Sequence, residues 1–291
     1  MKFLLYLGCT TATKQYGYEL SLRATLPLLG VELEHPKDMN CCGVPMKGIS
    51  KFYPYYACAR IMALAESQGL DIIAPCNGCH LNLTETIYKL KLNPLLMSAV
   101  NELLKEEGLK YTGKAMVYHP VEILHDKIGI EKITSSIKRK LPEIPVSSHP
   151  GCHLIRPTEF PRPETRDGPL KLDRLIEAIG LKARDYPEKY ECCGAAILPY
   201  SPEAAIKTAA FRIKRALAVG SKAITSLCPY CIDMLDGKQD AAKTITGDQN
   251  ISIPALYYTQ LLGLALGLDE KELGMSLNMS PVEVLLEEVK V

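Results

Sequence analysis

Ten of the eleven cysteines in this 291-residue chain belong to one pattern written twice. The first copy is Cys9, then Cys41-Cys42-Gly43, then Cys76-Asn77-Gly78-Cys79. The second is Cys152, then Cys192-Cys193-Gly194, then Cys228-Pro229-Tyr230-Cys231. The gaps are 31 and 33 residues in the first copy, and 39 and 34 in the second. Thiolates are soft ligands for zinc, copper(I) and iron–sulfur clusters. Structural zinc takes four cysteines, commonly as two close pairs. Five per copy is one more, and adjacent cysteines suit a multi-iron group better than a single ion. The compact ferredoxin run is absent, so the arithmetic favours an iron–sulfur cluster of unusual shape, with zinc and a thiol–disulfide relay as alternatives. Structural disulfides belong to small oxidised domains and fit a chain of this size poorly.

The elements that position these thiols alternate. Lys2 to Leu7 is an apolar run of strand length that leads into Gly8-Cys9. Tyr18, Leu22, Leu26 and Leu29 repeat at helical spacing and stop at Gly30, before a short strand from Val31 to Glu34. A helix over Tyr55–Gln68, a strand over Asp71–Ala74, helices over His80–Leu90 and Pro94–Glu107, a strand over Ala115–Tyr118 and a helix over Pro120–Lys127 complete the first half. The second half replays this order. Pro145–Ser148 is a strand into Gly151-Cys152, Leu170–Ile179 a helix, Leu181–Arg184 a strand, Pro202–Val219 a helix and Lys222–Leu227 a strand into Cys228. Tyr257 to Leu262 with Gly267 echoes His119 to Leu124 with Gly129.

Alternation of this kind predicts an α/β fold with parallel sheets flanked by helices, and such sheets bind ligands beyond the carboxyl ends of their strands. The boundary is expected near Lys138–Pro145, giving domains 1–143 and 144–291. Arg156 to Pro169 holds four prolines and reads as an extended insertion or partner-binding loop.

Hydrophobic residues make up 47% of the chain, enough for a real core, and the net charge is +1. That balance gives no electrostatic reason to bind nucleic acid or an anionic membrane, and no apolar run has transmembrane length. Met1 to Gly8 lacks the apolar length and cleavage site of a signal peptide, so a cytoplasmic location is expected.

The doubled Cys, Cys-Cys-Gly, Cys-x-x-Cys pattern resembles the CCG-domain (cysteine-rich domain) proteins, and within them the B subunits of heterodisulfide reductases from methanogenic archaea. Leu7-Gly8-Cys9-Thr10, Asn40-Cys41-Cys42-Gly43, Pro75-Cys76-Asn77-Gly78-Cys79, His119-Pro120-Val121-Glu122 and Tyr257 to Leu268 carry the likeness over nearly the whole chain. The resemblance implies two pseudo-twofold-related Rossmann-like domains, each holding a noncubane [4Fe-4S] cluster. Cys9, Cys41, Cys42, Cys76 and Cys79 would hold one, and Cys152, Cys192, Cys193, Cys228 and Cys231 the other. It further implies reduction of the coenzyme M–coenzyme B mixed disulfide between facing clusters, each supplying one electron and taking one sulfur, in methanogenesis. Neither a ferredoxin run nor a Gly-x-Gly-x-x-Gly fingerprint is present, so flavin and NAD are not expected on this chain. Electrons would come through two further chains of the heterodisulfide reductase, a cubane iron–sulfur carrier (its C subunit) and a flavin-bearing iron–sulfur protein (its A subunit). In an electron-bifurcating complex these would be fed by a hydrogenase or formate dehydrogenase. Related family members act with lactate, glycolate or fumarate partners.

The implied substrate carries sulfonate, phosphate and carboxylate groups, so Lys47, Lys51, Arg60 and Arg156, which follow the cysteine loops, are candidate contacts, against the simpler reading of solvated charges. His153 and His149 flank Cys152 and are candidate donors to sulfur or ordinary loop packing. His80, His119 and His125 read as structural, Cys58 as a buried inert thiol. Tyr53, Tyr55 and Tyr56 line a channel or cover a seam.

Overall fold

The computed structural model describes residues 1–35, 38–165 and 170–290. Its first sheet has four strands, β1 (Lys2–Leu5), β2 (Glu32–Glu34), β3 (Asp71–Ile73) and β4 (Val117–Tyr118), in the order β2-β1-β3-β4. The second repeats the arrangement with β5 (Pro145–Ser148), β6 (Lys182–Arg184), β7 (Ala223–Ser226) and β8 (Ala255–Tyr257), in the order β6-β5-β7-β8. Every pairing is parallel, with Phe3 opposite Leu33 and Asp71 in one sheet and Val146 opposite Ala183 and Ala223 in the other. Parallel strands are covered on both faces, which is why Phe3-Leu4-Leu5 is apolar without alternation and fully buried.

Thirteen α-helical segments lie among the described residues. In the first half these are α1 (Gly8–Thr13), α2 (Tyr16–Thr25), α3 (Tyr53–Ser67), α4 (Asn77–Leu92), α5 (Pro94–Lys105), α6 (Pro120–Glu122) and α7 (Ile130–Ser136). In the second they are α8 (Lys171–Ala178), α9 (Pro202–Ala218), α10 (Pro229–Leu235), α11 (Gln239–Thr246), α12 (Tyr258–Ala265) and α13 (Val282–Lys290). None is long and apolar enough to cross a membrane.

The alternation expected from sequence is present, with several local differences. Gly8-Cys9 opens a short helix directly after the first strand. The helix expected to reach Leu29 stops at Thr25 and tightens into a 3₁₀ turn over Pro27–Leu29, because Pro27 has no N–H for the helical ladder. Gly30 closes it at φ 82°, a left-handed conformation that glycine adopts freely. The expected helix over Pro120–Lys127 is one α-turn followed by a π-helix over Ile123–Ile128. The insertion is described only to Thr165 and again from Leu170; residues 166–169 lie outside the described residues.

The halves share a core. Tyr18 and Leu22 of α2, with Leu26 just after it, pack with Tyr258, Leu261 and Leu262 of α12 in one buried cluster. Tyr18 stacks on Tyr257 with ring centroids 4.0 Å apart and planes 5° apart. The Tyr18 hydroxyl donates to the Leu227 carbonyl, and the Tyr257 hydroxyl to Gln15 Oε1.

A candidate iron–sulfur centre

In each sheet the chain leaves its first strand on one side and returns on the other, so the switch point lies between β1 and β3, and between β5 and β7. Cys9 and Cys76 follow the ends of β1 and β3, and Cys152 and Cys228 follow β5 and β7. The Cys-Cys-Gly loops approach the same crevice, each turned by a left-handed glycine, Gly43 at φ 83° and Gly194 at φ 97°. An added Cβ on Gly194 would lie 2.5 Å from the Ala205 carbonyl, so a side chain cannot stand there.

The ten thiols of the two patterns form one continuous string. Contacts run from Cys9 to Cys41 to Cys42 to Cys79 to Cys76, cross to Cys228, and continue to Cys231, Cys193, Cys192 and Cys152. The order is palindromic and Cys76–Cys228 is its centre. Neighbouring thiols shift one another in opposite directions. Cys42, Cys192 and Cys228 are pulled down, chiefly by thiol donors from Cys41, Cys152 and Cys231, while thiol contacts hold most of the others up. The Gly43 and Gly194 amides point at Cys41 Sγ and Cys192 Sγ, at 3.5 and 3.3 Å. Among the described residues no three His, Cys, Asp or Glu side chains converge as around one metal ion. The thiols are instead strung out, five from each half.

A second observation fits such a group. The buried side-chain polar atoms without a partner, among the described residues, are Thr11 Oγ1, Asn77 Oδ1, His80 Nε2, His119 Nε2, His149 Nε2 and Arg162 Nε. All belong to residues beside the cysteine loops or touching them. Buried polar groups are normally satisfied, and their gathering here marks the place where a further group belongs. His80 Nε2 lies 3.2 Å from Glu122 Oε2, but off the line that a hydrogen bond needs.

Cys58 stays outside the string. It is buried in α3 and its thiol donates to the Cys42 carbonyl at 3.2 Å, a carbonyl that also accepts from Asn82. His149 is fully buried, its Nδ1 2.9 Å from the Tyr186 hydroxyl, and burial lowers its pKa to about 4. Burial also lowers those of His80, His119 and His153. His119 Nδ1 accepts from the Val121 amide, and its ring meets His80 edge-on at 5.9 Å. His125 pairs with Asp126, which also holds Lys171, so the pair braces the π-turn against the start of α8.

The basic candidates divide. Arg156 and His153 line a cleft of about 460 Å³ with Cys152, Pro157, Thr158 and Glu159. Arg156 donates to the Tyr190 carbonyl and pairs with Glu191 at 3.3 Å, and Lys47 pairs with Glu85 of α4 at 2.5 Å. Arg60 is turned to Glu107, Asn40 and the Asp38 carbonyl, and Lys51 is exposed. Tyr55 and Tyr56 pack on the first-half core, with the Tyr56 hydroxyl donating to Glu107; Tyr53 is exposed. A second cleft, of about 470 Å³, opens beside Cys9 and Cys41 and includes Thr13, His35 and Asp38.

Sequence patterns do not single out Arg162. It leaves the proline-rich insertion of the second half and enters the first, donating to Thr84 Oγ1 at 2.9 Å, His80 Nδ1 at 3.1 Å and the His153 carbonyl at 2.7 Å. Because arginine only donates, His80 Nδ1 must accept, which places the His80 proton on Nε2. Burial lowers the Arg162 pKa to about 10. Phe160 of the same strap lies edge-on to Tyr88 of α4 at 5.3 Å. The strap thus ties together the residues that follow Cys79 and Cys152.

The cysteine-rich domain (CCG) family model matches residues 3–84 and 146–236, the two stretches that carry the patterns. The chain is 35% identical to the B subunit of the "Ferredoxin/F(420)H(2)-dependent CoB-CoM heterodisulfide reductase" of Methanosarcina acetivorans, over 95% of this chain and 93% of that protein. It is 27% identical to the "8-methylmenaquinol:fumarate reductase membrane anchor subunit" of Wolinella succinogenes, over 96% of each. Among solved structures, a hypothetical protein from Helicobacter pylori superposes with a TM-score of 0.77 at 18% identity, over 96% of this chain and 52% of that one, a likeness of fold.

Proposed function

The chain belongs to the cysteine-rich domain (CCG) family, and from that premise we propose that it is the catalytic subunit of a heterodisulfide reductase. In this reading it reduces the coenzyme M–coenzyme B mixed disulfide to its two thiols at a pair of noncubane [4Fe-4S] clusters. The observation that carries the reading is the palindromic string of ten thiols, five from each half, meeting at Cys76 and Cys228.

Residues 1–143 would hold one cluster through Cys9, Cys41, Cys42, Cys76 and Cys79. Residues 144–291 would hold the other through Cys152, Cys192, Cys193, Cys228 and Cys231. When bound, such clusters supply single electrons and iron atoms that accept sulfur ligands, so that two match the two electrons and two sulfurs of a disulfide. The protein's part is to position and exclude water. Cys42, Cys76, Cys79, Cys193, Cys228 and Cys231 are buried, and Cys9, Cys41, Cys152 and Cys192 are half-buried. His153 and Arg156 line the cleft beside Cys152, and with Lys47 they would meet the anionic ends of the substrate. Electrons would reach this chain, in a cytoplasmic complex, through a cubane iron–sulfur carrier and a flavin-bearing iron–sulfur protein, the C and A components of the reductase. A hydrogenase or formate dehydrogenase would feed them, with no flavin or NAD on this chain.

The relative named for a fumarate reductase favours one second reading, a CCG-type component of a thiol:fumarate or hydroxyacid oxidoreductase. Anaerobically purified protein separates the two. About eight irons with matching sulfide per chain, and heterodisulfide reduction from an artificial viologen donor, support the first. The same iron without disulfide reduction supports the second, and a colourless protein with two zincs ends both.

A further inference from the structure

The two Cys-x-x-Cys motifs superpose in sequence, yet one of their inner residues differs as much as two residues can. Tyr230 stands where the other half has Gly78. Tyr230 is half-buried and packs against both thiol clusters, that of Cys42, Cys76 and Cys79 and that of Cys193, Cys228 and Cys231. Although it belongs to the second half, its phenol reaches Thr10, the neighbour of Cys9, across the seam between α10 and α1. Thr10 Oγ1 in turn lies 3.8 Å from Cys9 Sγ.

The corresponding position on the other side carries no side chain. Gly78 lies in the first turn of α4, which packs on Cys152–Leu154 as α10 packs on α1. Asn77 beside it donates to the Pro150 carbonyl at 2.7 Å and so fixes this turn against Gly151-Cys152. Between Pro75 and His80, Gly78 alone is not buried. A Cβ added to it would meet only Cys76 Sγ, at 3.9 Å. Neither backbone strain nor a close neighbour therefore requires glycine there.

We propose that Gly78 and Tyr230 form a specificity-determining pair that makes the thiol centre one-sided. The bulkier arm of the disulfide passes over Gly78 on the Cys152 side, and Tyr230 fills the equivalent space on the Cys9 side so that only a slender arm fits. This rests on the reading of the chain as a disulfide reductase, and it concerns how the pseudo-symmetric centre distinguishes two unlike sulfurs.

The test is equilibrium binding of the coenzyme M–coenzyme B heterodisulfide to oxidised, cluster-loaded protein by calorimetry, with steady-state KM and kcat beside it. Bis(2-hydroxyethyl) disulfide serves as the small probe. Gly78→Ala should change neither Kd by more than about twofold, because the space accepts one carbon. Gly78→Leu should weaken the heterodisulfide by about tenfold or more, as expected for filling a pocket, and the small disulfide by less than about twofold. Its iron content and visible spectrum should match wild type. Tyr230→Ala should narrow the preference between the two disulfides. If wild type binds the heterodisulfide and Gly78→Leu binds it equally well with iron intact, the pair does not set specificity while the disulfide-reductase reading stands. If iron-loaded wild type binds no disulfide, both fail. Gly78→Leu protein that loses its iron also overturns the proposal, since the position would then be structural.

Discussion

Cys76 and Cys228 meet thiol to thiol at the pseudo-twofold axis, and each is the N-cap residue of the helix that carries the second cysteine of its motif. The two helices do not treat the pair alike. The Asn77 amide reaches Cys228, whereas its counterpart Pro229 has no N–H to return to Cys76. The Cys228 thiol is held well below its ordinary pKa and the Cys76 thiol well above, Cys231 and then Cys76 itself being the donors to Cys228. The centre is symmetric in its cysteines and unequal in the residues between them.

Cys42 is one of the five thiols of the first set, held below its ordinary pKa by donors from Cys41 and Cys79, and Cys58 only donates to its carbonyl. Cys42→Ser is expected to lower iron from about eight to about four per chain, and Cys58→Ala to leave it unchanged. Iron and acid-labile sulfide assays of anaerobically purified protein check this. Equal loss in both variants would place Cys58 among the ligands.

Arg162 makes two hydrogen bonds that link the two halves, to Thr84 and His80, and a third to the His153 carbonyl of its own half. Arg162→Gln removes its charge and at least one of those bonds, leaving buried acceptors unpaired. A loss of roughly 2 kcal/mol in stability is expected, read as a lower midpoint in urea unfolding of the full chain. An unchanged midpoint would make the strap an ornament of the surface.

Burial holds His149 neutral, with a folded pKa of about 4 against an unfolded value near 6.5. Below pH 6.5 the unfolded chain binds the extra proton first. The contribution to stability is therefore complete above about pH 6.5 and falls away as pH drops toward 4, by roughly 3 kcal/mol in all. Unfolding midpoints of the cluster-free chain between pH 7.5 and 5 should fall less steeply in His149→Gln than in wild type. Parallel profiles would contradict it.

Gly151 has φ +83°, and a Cβ there would sit 2.5 Å from Asn77 Nδ2 and 3.0 Å from Cys231 Sγ. Gly151→Ala should break the Asn77–Pro150 bond between the halves and cost roughly 2 kcal/mol or more. Gly113→Ala, also at positive φ but with no neighbour within 4 Å, should cost less. Thermal melts of the two variants side by side decide it.

The cysteines and the strands that deliver them are legible because each strand is short and runs into a thiol, three of them through a Gly or Pro just before it and β7 through Leu227. The repeat then predicts the second half from the first. Strand β8 carries no such signal. It is three residues long, sits between Pro254 and a helix, and its Leu256 and Tyr257 read equally well as helical. Arg162 cannot be found by pattern, since it works from an irregular proline-rich segment on residues some eighty positions away. Lys47 and Arg156 are legible as charges near the loops, and their ion pairs with Glu85 and Glu191 are not, because those partners come from other elements. Tyr230 against Gly78 is visible as a break in the repeat, but its meaning needs the seam that brings α10 onto α1.

The stacked Tyr18 and Tyr257 also bear on how anything enters. Their rings lie in a core shared by both halves, and each hydroxyl is tied down, Tyr18 to the strand end that leads into Cys228 and Tyr257 to Gln15. Prising the halves apart like a clamshell would strip these rings, and α2 and α12 behind them, into water. The seam works as a weld rather than a hinge. Any approach to the thiols that leaves this core intact passes the single side chains and the strap at the rim.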